Sequence, residues 1–231
     1  MTELEGEALR LSLSVAARSV AFNLPFAILV AWLLTRTRFA GRTLFDAFVH
    51  LPLVLPPVVV GYLLLVLFGV RGPIGGWLDQ QFGIRLAFTS TGAALATAVM
   101  SFPLVVRAIR ISLENVDPGL EDAARTLGAG PVDRFFSITL PLILPGVLAG
   151  AVTAFAAGLG EFGAVITFAS NIPGETRTLP LALYTAIQSP DGDALAARLA
   201  MISLALGLAG LLVAELLARR IARRLGRRPA A

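Results

Sequence analysis

The chain has 231 residues, of which 56% are apolar and 15% charged, with a mean hydropathy of +0.80; a soluble globular domain carries roughly 25% charged residues. Its formal charge of +4 rests on Arg alone, because there is no Lys, and without Lys the Gly-x-x-x-x-Gly-Lys-Ser/Thr phosphate loop of an ATPase cannot be built. The absence of Cys and a single His exclude disulfide frameworks, thiol catalysis and Cys/His zinc sites, so no catalytic or metal-binding residue is assigned.

Five apolar stretches reach the roughly 20 residues that cross a hydrocarbon layer as helix. They run from Leu11 to Leu34, Leu51 to Val70, Thr91 to Ile111, Leu140 to Phe168 and Leu195 to Ile221. They predict an all-α polytopic membrane protein, one domain over residues 1–231 with about five transmembrane helices. Ahead of the first stretch stand Glu3, Glu5 and Glu7, opposite in charge to the leader of a secretory signal, so the stretch is read as a retained span. At the start of the second, Pro52, Pro56 and Pro57 remove three amide donors and should break or kink the helix. Broken backbone at membrane depth is tolerated where protein or a water-filled cavity covers it, which makes Pro56 and Pro57 candidate pathway residues. Pro103 frees a carbonyl near Val99 in the third stretch; a packing kink and a pathway feature are both open for it.

The fourth stretch, 29 residues from Leu140 to Phe168, would reach roughly 44 Å at ~1.5 Å per residue and must tilt, bend or protrude. Gly146 and Gly150 form a GxxxG pair that suits close helix packing. Glu161 is the one carboxylate well inside an apolar run and should point inward, either as a hydrogen-bond acceptor or as an element of a gate. His50 stands alone in sequence and is read as a packed or interfacial residue.

Arg asymmetry orients the spans, since basic residues are retained on the cytoplasmic side. Arg36, Arg38, Arg42, Arg107, Arg110, Arg125, Arg134 and the six Arg between 219 and 228 lie on one side, against Arg10, Arg71, Arg85 and Arg177 on the other. The N-terminus is therefore expected outside and the C-terminus in the cytoplasm. The Arg-rich tail reads as an anchor to anionic lipid, with no nucleic-acid role.

On the expected cytoplasmic side, residues 114–141 carry two short helix grammars. Asp117 before Pro118 is an N-cap with Pro at the first helical position. Leu120, Ala123, Ala124 and Leu127 fall at i, i+3, i+4, i+7 as an apolar stripe, and Gly128 suits the left-handed position that ends a helix. Glu121 and Asp122 disfavour anionic lipid as the surface for this stripe, whereas a groove in a soluble partner fits it.

Asp122-Ala123-Ala124, three residues, Gly128, nine residues and Ile138-Thr139-Leu140-Pro141 resemble the EAA loop of bacterial ABC importer permeases, with Asp122 in place of the usual Glu. More of the chain is similar to the molybdate permease branch, with sulfate permeases as cousins: His50 to Leu65, Met100 to Arg110, Leu120 to Gly130, Leu159 to Pro180 and Tyr184 to Pro190. The resemblance implies a five-span permease subunit in the bacterial inner membrane. Its coupling helix, Leu120, Glu121, Asp122, Ala123, Ala124, Leu127 and Gly128, would dock on an ATP-binding subunit.

It further implies a homodimer with two ATP-binding cassette subunits, an external oxyanion-binding protein and surrounding lipid. No cofactor would be bound by this chain, ATP and Mg being used by the partner. The implied cargo is a tetrahedral oxyanion, molybdate first, with sulfate or tungstate as alternatives. An ion-gradient-driven transporter is the rival from another class, but such proteins show internal repeats and several midplane charges, and neither is found in this sequence.

Overall fold

The computed structural model describes residues 2–224, and every regular element among them is helical. Helix α1 (Glu3–Arg36) opens on a capping box: Thr2 Oγ1 accepts from the Glu5 amide and Glu5 Oε2 accepts from the Thr2 amide, satisfying two otherwise orphaned donors. Helix α5 (Ser90–Glu114) starts at Thr89, whose hydroxyl accepts from Gly92 N. A third long helical run joins α7 (Pro131–Arg134), a π-helical turn (Phe135–Thr139) and α8 (Leu140–Leu159). These three pack as the centre of the bundle.

Along α8, Gly146 meets Ser112 and Ala108, Gly150 meets Ala108 and Val105, and Gly158 meets Thr97. Numbers rise on α8 as they fall on α5, so the two helices are antiparallel and the glycines seat one backbone against the other. Helix α1 runs alongside α5 in the same direction. Asn23 Nδ2 donates to Ala98 O and Ser101 Oγ, each at 3.0 Å, just before Pro103 in α5, which continues through it as one helix. Pro103 itself is buried. Val105, Val106, Ile109 and Leu113 of α5 share a core cluster with Ala27, Ala31 and Leu34 of α1 and Ile143 and Ala154 of α8.

Two expected spans are not single helices. In the stretch from Leu51 to Val70 a 3-10 turn at Leu51–Leu53 extends α2 (Arg42–His50), which begins before it, and α3 (Pro57–Phe68) follows at 111° to that unit. The cause is the missing amide donors of Pro52, Pro56 and Pro57. The stretch from Leu140 to Phe168 ends as helix at Leu159, and α9 (Gly163–Ala169) comes after a break. A 29-residue helix continuing straight from Leu140 would outrun the apolar layer, and Gly160 and Gly163 flank the break.

Two short helices close one end of the bundle. Helix α4 (Pro73–Phe82) precedes α5, and α10 (Leu179–Ile187) leads to the last long helix, α11 (Asp193–Arg224). The loop from Ser170 to Thr178 is bound to itself: Thr176 Oγ1 donates to Ser170 O and accepts from Ile172 N, and Arg177 Nε donates to Asn171 Oδ1. Glu175 Oε1 accepts from Ser90 N at the start of α5, where a carboxylate also meets the positive end of the helix dipole. Glu5 and Ser12 fasten α1 to this end, accepting from Arg198 Nε at 2.7 Å and Leu179 N at 2.7 Å.

Candidate functional site

The segment between α5 and α8 folds as its caps dictate. Asp117 Oδ1 accepts from Gly119 N at 2.8 Å, and helix α6 spans Pro118–Thr126. Gly128 has φ +88°, and Ala129 N donates to Ala124 O while Leu127 N donates to Ala123 O. This is the left-handed closure that a glycine permits. No residue of α6 is buried; Leu120 is 48% and Leu127 88% exposed, and Val132 and Phe136 beyond them are exposed as well. Leu120 and Leu127 thus form an uncovered apolar surface at one end of the bundle.

This surface is held to the bundle at one carboxylate. Glu121 Oε1 accepts from Thr139 Oγ1 at 2.9 Å and pairs with Arg36 Nη2 at 3.2 Å. Arg36 closes α1, and Thr139 is a buried residue of the π-helical turn that leads into α8. Glu121 therefore joins α6, α1 and the approach to α8. Its neighbour Asp122 is exposed and makes no ion pair among the described residues. Sequence reasoning assigned Glu121 to the helix but missed the link, because its partners lie 85 and 18 residues away.

The residues singled out inside the membrane divide into two places. Gly163 at the start of α9 is seated so closely that a Cβ there would lie 2.7 Å from Pro57 Cβ, and one on Gly61 would lie 2.7 Å from Ala164 O. The break at Pro56–Pro57 and the break at Glu161 are thus brought against each other, with Pro56 and Pro57 exposed and Glu161 half-buried. Glu161 Oε1 accepts from Ala164 N at 2.9 Å and so satisfies an amide at the start of α9. Pro103 is not among this group.

A second feature at the α6 end escaped the sequence. His50 is not isolated: its Nδ1 lies 2.9 Å from Asp46 O and 3.1 Å from Asp46 Oδ1. Asp46 Oδ2 in turn pairs with Arg110 Nη1 at 2.9 Å, and Arg110 Nε pairs with Glu114 at 3.0 Å. The i, i+4 spacings of Asp46 with His50 and of Arg110 with Glu114 were the available signals; nothing local joins the two helices.

An all-helical membrane chain with broken spans and a fastened, uncovered amphipathic helix at one end has the form of a membrane transport component. The chain belongs to the family described as binding-protein-dependent transport system inner membrane component, whose model matches residues 23–223. It is 61% identical over 215 residues, covering 93% of this chain and 94% of the relative, to the molybdenum transport system permease protein ModB of Escherichia coli K12. It is 42% identical to the sulfate transport system permease protein CysT of Salmonella typhimurium, over 87% of this chain and 72% of the relative. Among solved structures, a bacterial alginate ABC transporter in complex with a pentasaccharide-bound periplasmic protein shares the fold. That match has a TM-score of 0.75 at 20% identity, over 96% of this chain and 80% of that one.

Proposed function

We propose that this chain is the permease subunit of an ATP-driven importer for molybdate, and that α6 is the helix through which a separate ATP-binding subunit drives it. The carrying observation is the uncovered Leu120 and Leu127 face, fastened by Glu121 to Arg36 and Thr139. Five helical passes leave little room to enclose a path, so the working unit is a homodimer, the commonest closed symmetry. Two ATP-binding subunits sit at the α6 end, and an external oxyanion-binding protein delivers cargo at the opposite end. The Arg distribution supports α6 in the cytoplasm and the N-terminus outside.

Closure of the ATP-binding pair would draw the two α6 helices together. Glu121 passes that displacement to α1 and to the π-helical turn before α8, while the breaks at Pro56–Pro57 and at Glu161 supply backbone that can bend. Glu161 repels an oxyanion, so its place is that of a strut for α9 at the gate, with the anion passing elsewhere. Molybdate rests on the 61% identity to a molybdenum permease, and sulfate is the second reading through the 42% relative.

The test is reconstitution of this chain with its co-purified ATP-binding subunit and a molybdate-loaded binding protein in vesicles. ATP-dependent molybdate uptake that sulfate does not outcompete is expected. A Glu121→Ala variant should assemble yet hydrolyse more ATP per ion carried. Uptake driven by an ion gradient without ATP would overturn the reading, and an unchanged ratio in Glu121→Ala would overturn the role of α6.

A further inference from the structure

A cleft of about 560 Å³ opens between α2 and α5 at the α6 end, lined by Thr43, Asp46, His50, Arg107, Arg110 and Glu114. Its two carboxylates are already engaged, Asp46 with Arg110 and Glu114 with Arg110. The two groups facing His50 Nδ1 are both acceptors, the carbonyl and the carboxylate of Asp46, so Nδ1 is the nitrogen that carries hydrogen there. Arg107 is exposed, and it forms no ion pair among the described residues. It stands seven residues before the end of α5. An exposed guanidinium turned to a polar cleft at the α6 end of the bundle is a place where an anion can be received.

We propose that this cleft is an inner station for the transported anion, in which Arg107 is the cationic wall that receives a tetrahedral oxyanion before release. The station rests on the permease reading given above. An ion is held there weakly, as passage requires contacts loose enough to leave. Arg supplies a planar fork that matches two oxygens of such an ion. The phosphate of an anionic lipid headgroup offers the same chemistry, so the experiment separates the two sources.

The chain has no Cys, so Ala47→Cys, on the cleft wall, gives it a single thiol. Its labelling by anionic and cationic methanethiosulfonates is compared in the reconstituted complex, in phosphatidylcholine vesicles with and without phosphatidylglycerol. With Arg107 present the anionic reagent should react faster and molybdate should slow it. In Arg107→Gln the anionic-to-cationic rate ratio should fall by about fivefold or more, the factor a unit charge near contact gives in water, while Arg107→Lys keeps most of it. A ratio unmoved by Arg107→Gln in an assembled complex overturns the station. So does molybdate protection that is absent in phosphatidylcholine while phosphatidylglycerol alone slows labelling, which would assign the cleft to a lipid headgroup. Molybdate uptake is measured on the same vesicles: its absence in wild type refutes the permease reading, whereas normal uptake with an Arg107-independent ratio refutes the station alone.

Discussion

Replacing Gly146 by Ala tests whether the bundle is held by backbone-to-backbone approach of α5 and α8. A Cβ at Gly146 would lie 2.4 Å from Ser112 Cβ and 2.9 Å from Ala108 O. Neither atom is the end of a flexible side chain, so relief to an ordinary contact of about 3.5–4.0 Å requires α8 to retreat by on the order of 1 Å. Overpacking of this kind costs about 1–3 kcal/mol, and the better helix propensity of Ala returns about 0.5–1 kcal/mol. The net loss is therefore between about 0 and 2.5 kcal/mol, centred near 1 kcal/mol.

Gly150, one turn on, is the internal control. Its Cβ would lie 3.3 Å from Ala108 Cβ and Val105, a contact that yields within a few tenths of an ångström, so Gly150→Ala should be nearly neutral. Denaturation midpoints in detergent, followed by the fluorescence of Trp32 and Trp77, should fall for Gly146→Ala and stay in place for Gly150→Ala. Equal midpoints for the two variants would refute the packing argument.

Gly128→Val should impair docking while leaving membrane insertion intact, because φ +88° costs a non-glycine residue roughly 1–2 kcal/mol; ATPase stimulation by the loaded binding protein is the readout, and normal stimulation would count against it. Asn23→Leu should lower the denaturation midpoint by the equivalent of about 1–3 kcal/mol, since it leaves the buried Ser101 hydroxyl and Ala98 carbonyl without their shared donor. Glu161→Gln keeps an acceptor for Ala164 N and should retain assembly and part of the uptake, whereas Glu161→Leu should lose closure or stability; uptake by the Leu variant at the wild-type rate would make the residue a bystander. A reporter active only in the cytoplasm, fused after Arg10, should be silent, and full activity would reverse the orientation.

The elements written in local grammar are legible in the amino-acid sequence. Asp117-Pro118 and Gly128 bracket α6 because caps act over a few residues, and the long apolar runs announce spans because the hydrocarbon layer sets their length. The breaks are legible in part: Pro52, Pro56 and Pro57 forecast a bend, but not that α3 lies against α9. The end of α8 at Leu159 is forecast as a need for the 29-residue stretch to bend, but not as a place, since no Pro marks it and Glu161 stabilises the start of α9 only once the chain has turned. The links at Glu121, Asp46 and Arg110 are illegible for a different reason. Each joins side chains whose neighbourhood is made by helix packing, and a single sequence records no such adjacency.

Glu5 carries a further consequence, one of time. Its Oε2 is satisfied by its neighbour Thr2, but Oε1 waits for Arg198, 193 residues later in the chain. Synthesis at roughly 5–20 residues per second separates the two by about 10–40 s. Ser12 likewise waits for Leu179, 167 residues on. These groups of α1 must therefore be shielded by water, lipid headgroups or the insertion machinery until α10 and α11 arrive. A chain cut short before α10 leaves α1 with a carboxylate oxygen and a hydroxyl unmatched.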